Sequence, residues 1–296
     1  MGESEIRTEF VEARGLRFEV HACGDPASER LALCLHGFPE SAYSWRHQLP
    51  LLAELGYRVW APNQRGYGRS SRPAGRGAYR IDELVADMAA LVDAAGSREL
   101  LLVGHDWGGF VAWFAALRHV RPVDRLVVMN IPHPVRAHAV LRSSWAQRRR
   151  SLYALFFQIP RLPEWLLTRR GARLVGEAFR GMAIDKSRFP DEVLDVYRRQ
   201  ALEPGAMTAM LNWYRANRHM FDRVGELPVL ETPTLMIWGE EDRALGIEMT
   251  RGTEHLVRDF TLRTLPNVSH WVQQEAPETV NAMLEAWLRG RPVPSA

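Results

Sequence analysis

Two hydrophobic rhythms alternate along this chain. Short runs that are apolar at nearly every position, Leu31–Leu35, Tyr57–Ala61, Leu126–Asn130, Thr234–Gly239 and Thr261–Leu265, read as strands buried on both faces. Between them the apolar positions recur with a helical period. The stretch Ile81–Ala95 sets Leu84, Met88, Leu91 and Val92 on one face, and helices are predicted over Ser44–Leu55, near Ala244–Arg258 and over Pro277–Leu288. Residues 4–12 and 17–23 alternate apolar and polar, which predicts an antiparallel pair joined at Arg14-Gly15. Strand–helix alternation of this kind predicts an α/β fold: a mostly parallel sheet flanked by helices.

The rhythm breaks from Pro134 to Glu226, where helical patterns follow one another without a convincing strand. The expected organisation is a core of residues 1–133 and 227–296 with a helical cap of residues 134–226 inserted into it. Such an insertion sits over the C-terminal ends of the strands, where ligands bind in open α/β sheets.

One of those strand ends carries chemistry. The apolar run Leu100–Val103 leads into Gly104-His105-Asp106-Trp107-Gly108-Gly109, and a helix-like stretch from Val111 to Arg118 follows. Strand, sharp Gly-x-Asp-x-Gly turn and helix form the context of a nucleophile elbow, with aspartate where serine is usual. The alternative is a glycine-rich turn whose aspartate caps the helix. Two further strand ends favour the elbow: Gly239-Glu240-Glu241-Asp242, and Asn267-Val268-Ser269-His270-Trp271. The chain order nucleophile, acid, base (Asp106, Asp242, His270) is that of an α/β-hydrolase, with Glu241 as the competing acid. His36-Gly37-Phe38-Pro39 follows the Leu31–Leu35 strand, and its Phe38 N–H, with that of Trp107, would form an oxyanion hole. The loop Gln64-Arg65-Gly66-Tyr67-Gly68-Arg69-Ser70 lacks a phosphate-binding signature and reads as a structural turn.

Composition narrows the function classes. The 296 residues carry a formal charge of +3, and Lys186 is the only lysine, so the basic character comes from arginine. The clusters Arg148-Arg149-Arg150, Arg169-Arg170 and Arg198-Arg199 have no accompanying nucleic-acid motif and read as solvated helix faces. Cys23 and Cys34 lie at or in apolar runs and read as reduced core thiols. The polar N-terminus shows no secretory pattern, and Ile6 stands where a myristoylation signal wants Ser or Thr. Tyr153–Leu167 is the nearest approach to a spanning segment, and Pro160 and Pro163 interrupt it. The expectation is a cytoplasmic protein with no nucleic-acid partner and no stable membrane anchor, with homo-oligomerisation left open.

His36-Gly37-Phe38-Pro39-Glu40-Ser41, Gly104-His105-Asp106-Trp107-Gly108-Gly109 and Asn267-Val268-Ser269-His270-Trp271 together resemble the soluble epoxide hydrolases of the α/β-hydrolase fold. The resemblance covers essentially the whole chain. In the insertion, Tyr153-Ala154-Leu155-Phe156-Phe157-Gln158 and Asn212-Trp213-Tyr214-Arg215 resemble the two segments where that family carries its epoxide-oxygen tyrosines. The resemblance implies Tyr153 and Tyr214 in that role, a lipophilic epoxide and water as substrates, and no metal or organic cofactor. Trp107, Phe156, Phe157 and Met210 are the expected apolar substrate wall.

The residue types fit that chemistry. A carboxylate attacking saturated carbon leaves an ester, which the remaining groups can hydrolyse; a serine would leave an ether, which they could not. Epoxide opening releases an alkoxide about as basic as hydroxide, with a conjugate-acid pKa of about 15.7. A phenol with a pKa of about 10 transfers its proton to that oxygen downhill by about 8 kcal/mol. A haloalkane or haloacid dehalogenase of the same fold is the competing enzyme, but Phe38 stands where a halide-binding Asn is usual, and Trp107 and Phe110 where carboxylate-binding arginines are. A non-catalytic ligand receptor on the same fold usually lacks one of Asp106, Asp242 and His270.

Overall fold

The buried strands divide their side chains between two cores because successive residues of a strand face opposite ways. A computed structural model describes residues 5–222 and 224–296. Residues 1–4, which include the start of the expected first strand and Met1-Gly2, lie outside the described residues, as does Arg223. In strand β5 (Glu99–His105), Leu100 and Leu102 enter one core, and Leu101 and Val103 the other. The strands β3 (Arg30–Leu35), β6 (Arg125–Met129) and β7 (Thr234–Gly239) divide in the same way.

The remaining strands are β1 (Arg7–Ala13), β2 (Leu16–Cys23), β4 (Arg58–Pro62) and β8 (Phe260–Leu265). They complete one eight-stranded sheet in the order β1-β2-β4-β3-β5-β6-β7-β8. β1 pairs antiparallel with β2 and β2 with β4, while every other pairing is parallel. The helices of the first half are α1 (Gln48–Glu54), α2 (Ile81–Ala95) and α3 (Asp106–Leu117). α2 stops where Gly96 adopts a left-handed conformation and its N–H bonds back to Val92 and Asp93.

Between β6 and β7 lie α4 (Pro134–Ser143), α5 (Trp145–Arg150), α6 (Leu152–Phe156), α7 (Leu162–Met182), α8 (Asp191–Leu202) and α9 (Ala206–Ala216). The described residues of 134–226 contain no strand. α7 is broken at Arg169–Ala172, whose backbone leaves the helical region. After β8 come α10 (Val272–Glu275) and α11 (Pro277–Leu288). Among the described residues no helix is long and apolar enough to cross a membrane.

Two predicted helices come out differently. Ser44–Leu55 is split into a 3-10 turn over Ala42–Trp45 and α1, because Ser41 caps the first turn by accepting from the Tyr43 N–H. Ala244–Arg258 contains only the short turns Ile247–Met249 and Thr253–His255, separated by Gly252 at a φ of 81°. Its apolar spacing resembles a helix, but the residues pack irregularly against the helical segment: Gln147 bonds both the Ala244 carbonyl and the Gly246 N–H.

Candidate active site

The turn from β5 into α3 brings the first functional group to the C-terminal edge of the sheet. Asp106 itself takes the strained conformation, with a φ of 49°, and is the first residue of α3. A left-handed backbone at a non-glycine residue costs about 1–3 kcal/mol, a price characteristic of functional sites. The flanking glycines serve a different need than the turn's dihedrals. A Cβ on Gly108 would lie 2.1 Å from the Leu35 carbonyl oxygen, and one on Gly104 would meet the Gly108 oxygen at 2.6 Å. They let α3 lie directly against β3 and β5.

The end of β3 reaches the same point. Phe38 donates its N–H to Asp106 Oδ1 at 2.8 Å, and the Trp107 N–H also bonds the carboxylate. The two amides expected to form an oxyanion hole thus hold the resting aspartate. Burial raises the Asp106 pKa; the facing imidazoles of His270 and His105 and these two amides oppose the shift.

His270 lies between two carboxylates. Its Nε2 is 3.8 Å from Asp106 Oδ2 and its Nδ1 is 2.6 Å from Asp242 Oδ2. Burial disfavours the imidazolium, yet Asp242 through charge and hydrogen bond, and Asp106 through charge, bring its pKa up to about 9. Asp242 is the acid in contact, while Glu241 is exposed and its N–H bonds the Val268 carbonyl. Asp242 Oδ1 accepts the N–H groups of Ala244 and Leu245 at 2.7 and 2.9 Å, and Oδ2 also accepts Asn130 Nδ2 at 2.8 Å. Burial raises its pKa, but the His270 charge and these bonds leave it below the usual carboxylate value.

The helical segment supplies the ceiling. Tyr153 on α6 and Tyr214 on α9 have ring centroids 5.9 Å apart. Tyr214 sits edge-on to Trp107 at 5.1 Å and to Phe38 at 5.3 Å, so it stands directly over the Asp106 turn. Burial raises both phenol pKa values above the ordinary value, and the Asp106 charge adds to the effect. Phe157 packs between Phe38 and Tyr214 at 5.3 and 5.0 Å, with Phe156 beside it. Met210, expected on the substrate wall, is only 1% exposed. It belongs to the same packed core as Trp107 and Phe157, four residues before Tyr214 on α9.

The structure also shows supports that sequence reasoning missed. Asn130, at the end of β6 with a φ of 42°, bonds Asp242 and accepts the Gly239 N–H at 2.9 Å. Beneath Asp106, His105 Nδ1 is 2.6 Å from Glu40 Oε2 and its Nε2 is 2.8 Å from the His270 carbonyl. Glu40 also accepts Gly37 N–H, Gln273 and Gln274 at 2.8–2.9 Å. Asn130 and Glu40 each stand at or just beyond a strand's C-terminal end, and that position was the available signal. The glycine-rich loop is structural: Arg65 pairs with buried Asp87 at 2.5 Å, and its carbonyl accepts Trp213 Nε1 beside Tyr214. Cys34 is a buried free thiol, and Cys23 is buried as well. No group of three or more His, Cys, Asp or Glu side chains among the described residues is placed to hold a metal ion.

A strained elbow at the end of a central parallel strand, faced by an imidazole and a second carboxylate from later strand ends, defines an α/β-hydrolase. The family described as alpha/beta hydrolase fold matches residues 33–277. The chain belongs to the epoxide hydrolase family of that fold. It is 38% identical to Epoxide hydrolase 4 of Mus musculus, covering 94% of this chain and 78% of that protein. It is 37% identical to the AB hydrolase superfamily protein YfhM of Bacillus subtilis (strain 168), over 97% of this chain and 99% of that one. The crystal structure of Bacillus megaterium epoxide hydrolase in complex with an inhibitor superposes with a TM-score of 0.87 at 28% identity, over 95% and 100% of the two chains.

Proposed function

We propose that this epoxide hydrolase converts a lipophilic epoxide to a vicinal diol through an ester on Asp106. The observation that carries the proposal is the position of that one residue: a carboxyl group at a strained elbow, under two phenols and 3.8 Å from an imidazole. Oδ1 is engaged by the Phe38 amide, which leaves Oδ2 to attack a ring carbon. The C–O bond of the ring breaks as the Oδ2–C bond forms, and Tyr153 and Tyr214 hydrogen-bond the departing oxygen and supply its proton. Burial and the Asp106 charge hold both phenols above their ordinary pKa in the resting protein. Ester formation removes that charge as alkoxide character appears, so proton donation becomes easier at the moment it is needed.

Water then attacks the Asp106 carboxyl carbon. His270 accepts its proton, Asp242 stabilises the resulting imidazolium, and the Phe38 and Trp107 amides hold the charge that develops on Oδ1. The bond between the carboxyl carbon and Oδ2 then breaks, and the His270 imidazolium gives its proton to the departing oxygen. The diol leaves with the original Oδ2, the water oxygen remains in Asp106, and the second water proton restores the phenol. Trp107, Phe156, Phe157 and Met210 act as the apolar wall. Residues 134–226 act as a cap over a core of 1–133 and 227–296. Two phenols over the nucleophile favour epoxide opening over halide displacement, since a halide leaves without a proton.

The test is a single turnover of styrene oxide in heavy-oxygen water with enzyme in excess, read by mass spectrometry on the diol and on the peptide carrying Asp106. An unlabelled diol with label in Asp106 is expected. A labelled diol with unlabelled Asp106 means direct attack by water and overturns the mechanism.

A further inference from the structure

The outward side of the helical segment carries a feature that the chemistry above does not use. α6 contributes Tyr153 to the site, yet on the same helix Leu152 and Leu155 are exposed, Leu155 to 68%. Exposed apolar residues continue at Ile159, Leu162 and Trp165, so the intervals along the chain are three or four residues throughout, and Trp145 on α5 is 70% exposed. Single apolar residues on a surface need no explanation, but five large ones exposed within residues 152–165 are a concentration that points to an interaction site.

Along the sequence the charge beside this stripe is mostly positive. Residues 134–176 contain nine arginines and one acid, Glu164, although the whole chain carries only +3. Glu164 is already committed to Arg215, at 2.6 Å. Arg142, Arg148, Arg149, Arg161, Arg169 and Arg170 are all exposed and have no acidic partner among the described residues. Arg169 lies over the ring of Trp165 at 4.6 Å, beside the apolar stripe.

We infer that this face docks on an anionic lipid bilayer. Exposed Leu and Trp side chains enter the acyl boundary while arginines meet the phosphates, which is how amphipathic segments lie in a membrane interface. An isologous contact with a second copy would set this positive surface against itself. A nucleic acid would leave the leucines and tryptophans unexplained. Docking places the helix that carries Tyr153 at the layer where lipophilic molecules dissolve. The inference stands on the surface itself and does not depend on the reaction proposed above.

The experiment is vesicle flotation of the full-length protein, comparing phosphatidylcholine alone with phosphatidylcholine plus phosphatidylglycerol. The protein is expected to float with the anionic vesicles, less so as salt is raised, and to stay behind with the neutral ones. The double substitution Leu155→Glu, Trp165→Glu lowers partitioning more than tenfold, and Arg149→Ser lowers it about fivefold. Both variants keep wild-type turnover of a water-soluble epoxide without vesicles, which shows that the fold is intact. If epoxide turnover is absent altogether, the reaction proposal fails and flotation still decides this one. Failure of the wild type to float with anionic vesicles overturns the inference, as does flotation unchanged by the double substitution. A wild-type dimer that dissociates in the double variant, without lipid binding, assigns the face to a second copy and overturns it equally.

Discussion

Replacing Asp106 by asparagine tests the electrostatic link between the two halves of the reaction. The substitution keeps the shape of the side chain and removes its charge, as ester formation does. In the wild type His270 titrates near 9 because two carboxylates face it, and Asp106 is the farther, at 3.8 Å. Two unit charges at that distance interact by about 4 kcal/mol at an effective dielectric of about 20, and by about 1 kcal/mol in bulk water. At about 1.4 kcal/mol per tenfold change, the first figure lowers the His270 pKa by about 3. The imidazole then titrates near neutrality while Asp242 still orients it. The sign matters for mechanism. With Asp106 charged, His270 is a cation at neutral pH and cannot act as a base; once the ester forms, it loses its proton readily and becomes one. Hydrolysis of the ester should therefore speed up as pH rises through the lowered pKa.

Histidine-labelled protein titrated by NMR from acid to alkaline pH measures this directly, with mass spectrometry verifying that the asparagine persists. A His270 pKa in the D106N protein within about half a unit of the wild-type value would refute the coupling, since even bulk-water screening gives more than that.

Two further substitutions separate roles. Tyr153→Phe and Tyr214→Phe each slow ester formation by about a hundredfold, within the usual range for a positioned acid, and leave ester hydrolysis unchanged. Rapid-quench detection of the ester distinguishes the steps, and slower hydrolysis with unchanged alkylation would contradict the assignment. Asn130→Ala deletes bonds to Asp242 and Gly239 and puts alanine at a φ of 42°. A loss of about 3 kcal/mol is expected, from a charge-assisted hydrogen bond plus backbone strain, measured as a lower urea midpoint at unchanged slope.

Local pattern carried much of this molecule. α2 and α11 run over the residues that the apolar period predicts, because each buries one continuous stripe against the sheet. The runs that became β3, β5, β6 and β7 were legible because strands covered on both faces have no polar face to interrupt them. Asp106, Asp242 and His270 stood out because each lies at or within a few residues of a strand's C-terminal end, and aspartate at the elbow narrowed the chemistry to alkyl transfer.

What sequence could not supply was distance. Glu241 and Asp242 are equivalent by composition and position; only the turn that buries one and exposes the other makes Asp242 the partner of His270. Glu40, His105 and Asn130 stand at strand ends, but nothing local names what they support, since His105 bonds Glu40 65 residues away and Asn130 bonds Asp242 112 residues away. Met210 and Tyr214 share a helical face by periodicity, but only packing brings that face into the core that holds Trp107 and Phe157. Periodicity and strand ends are local properties written into neighbouring residues. Burial, pKa and contact arise only when distant segments exclude water from each other, and those belong to the tertiary structure.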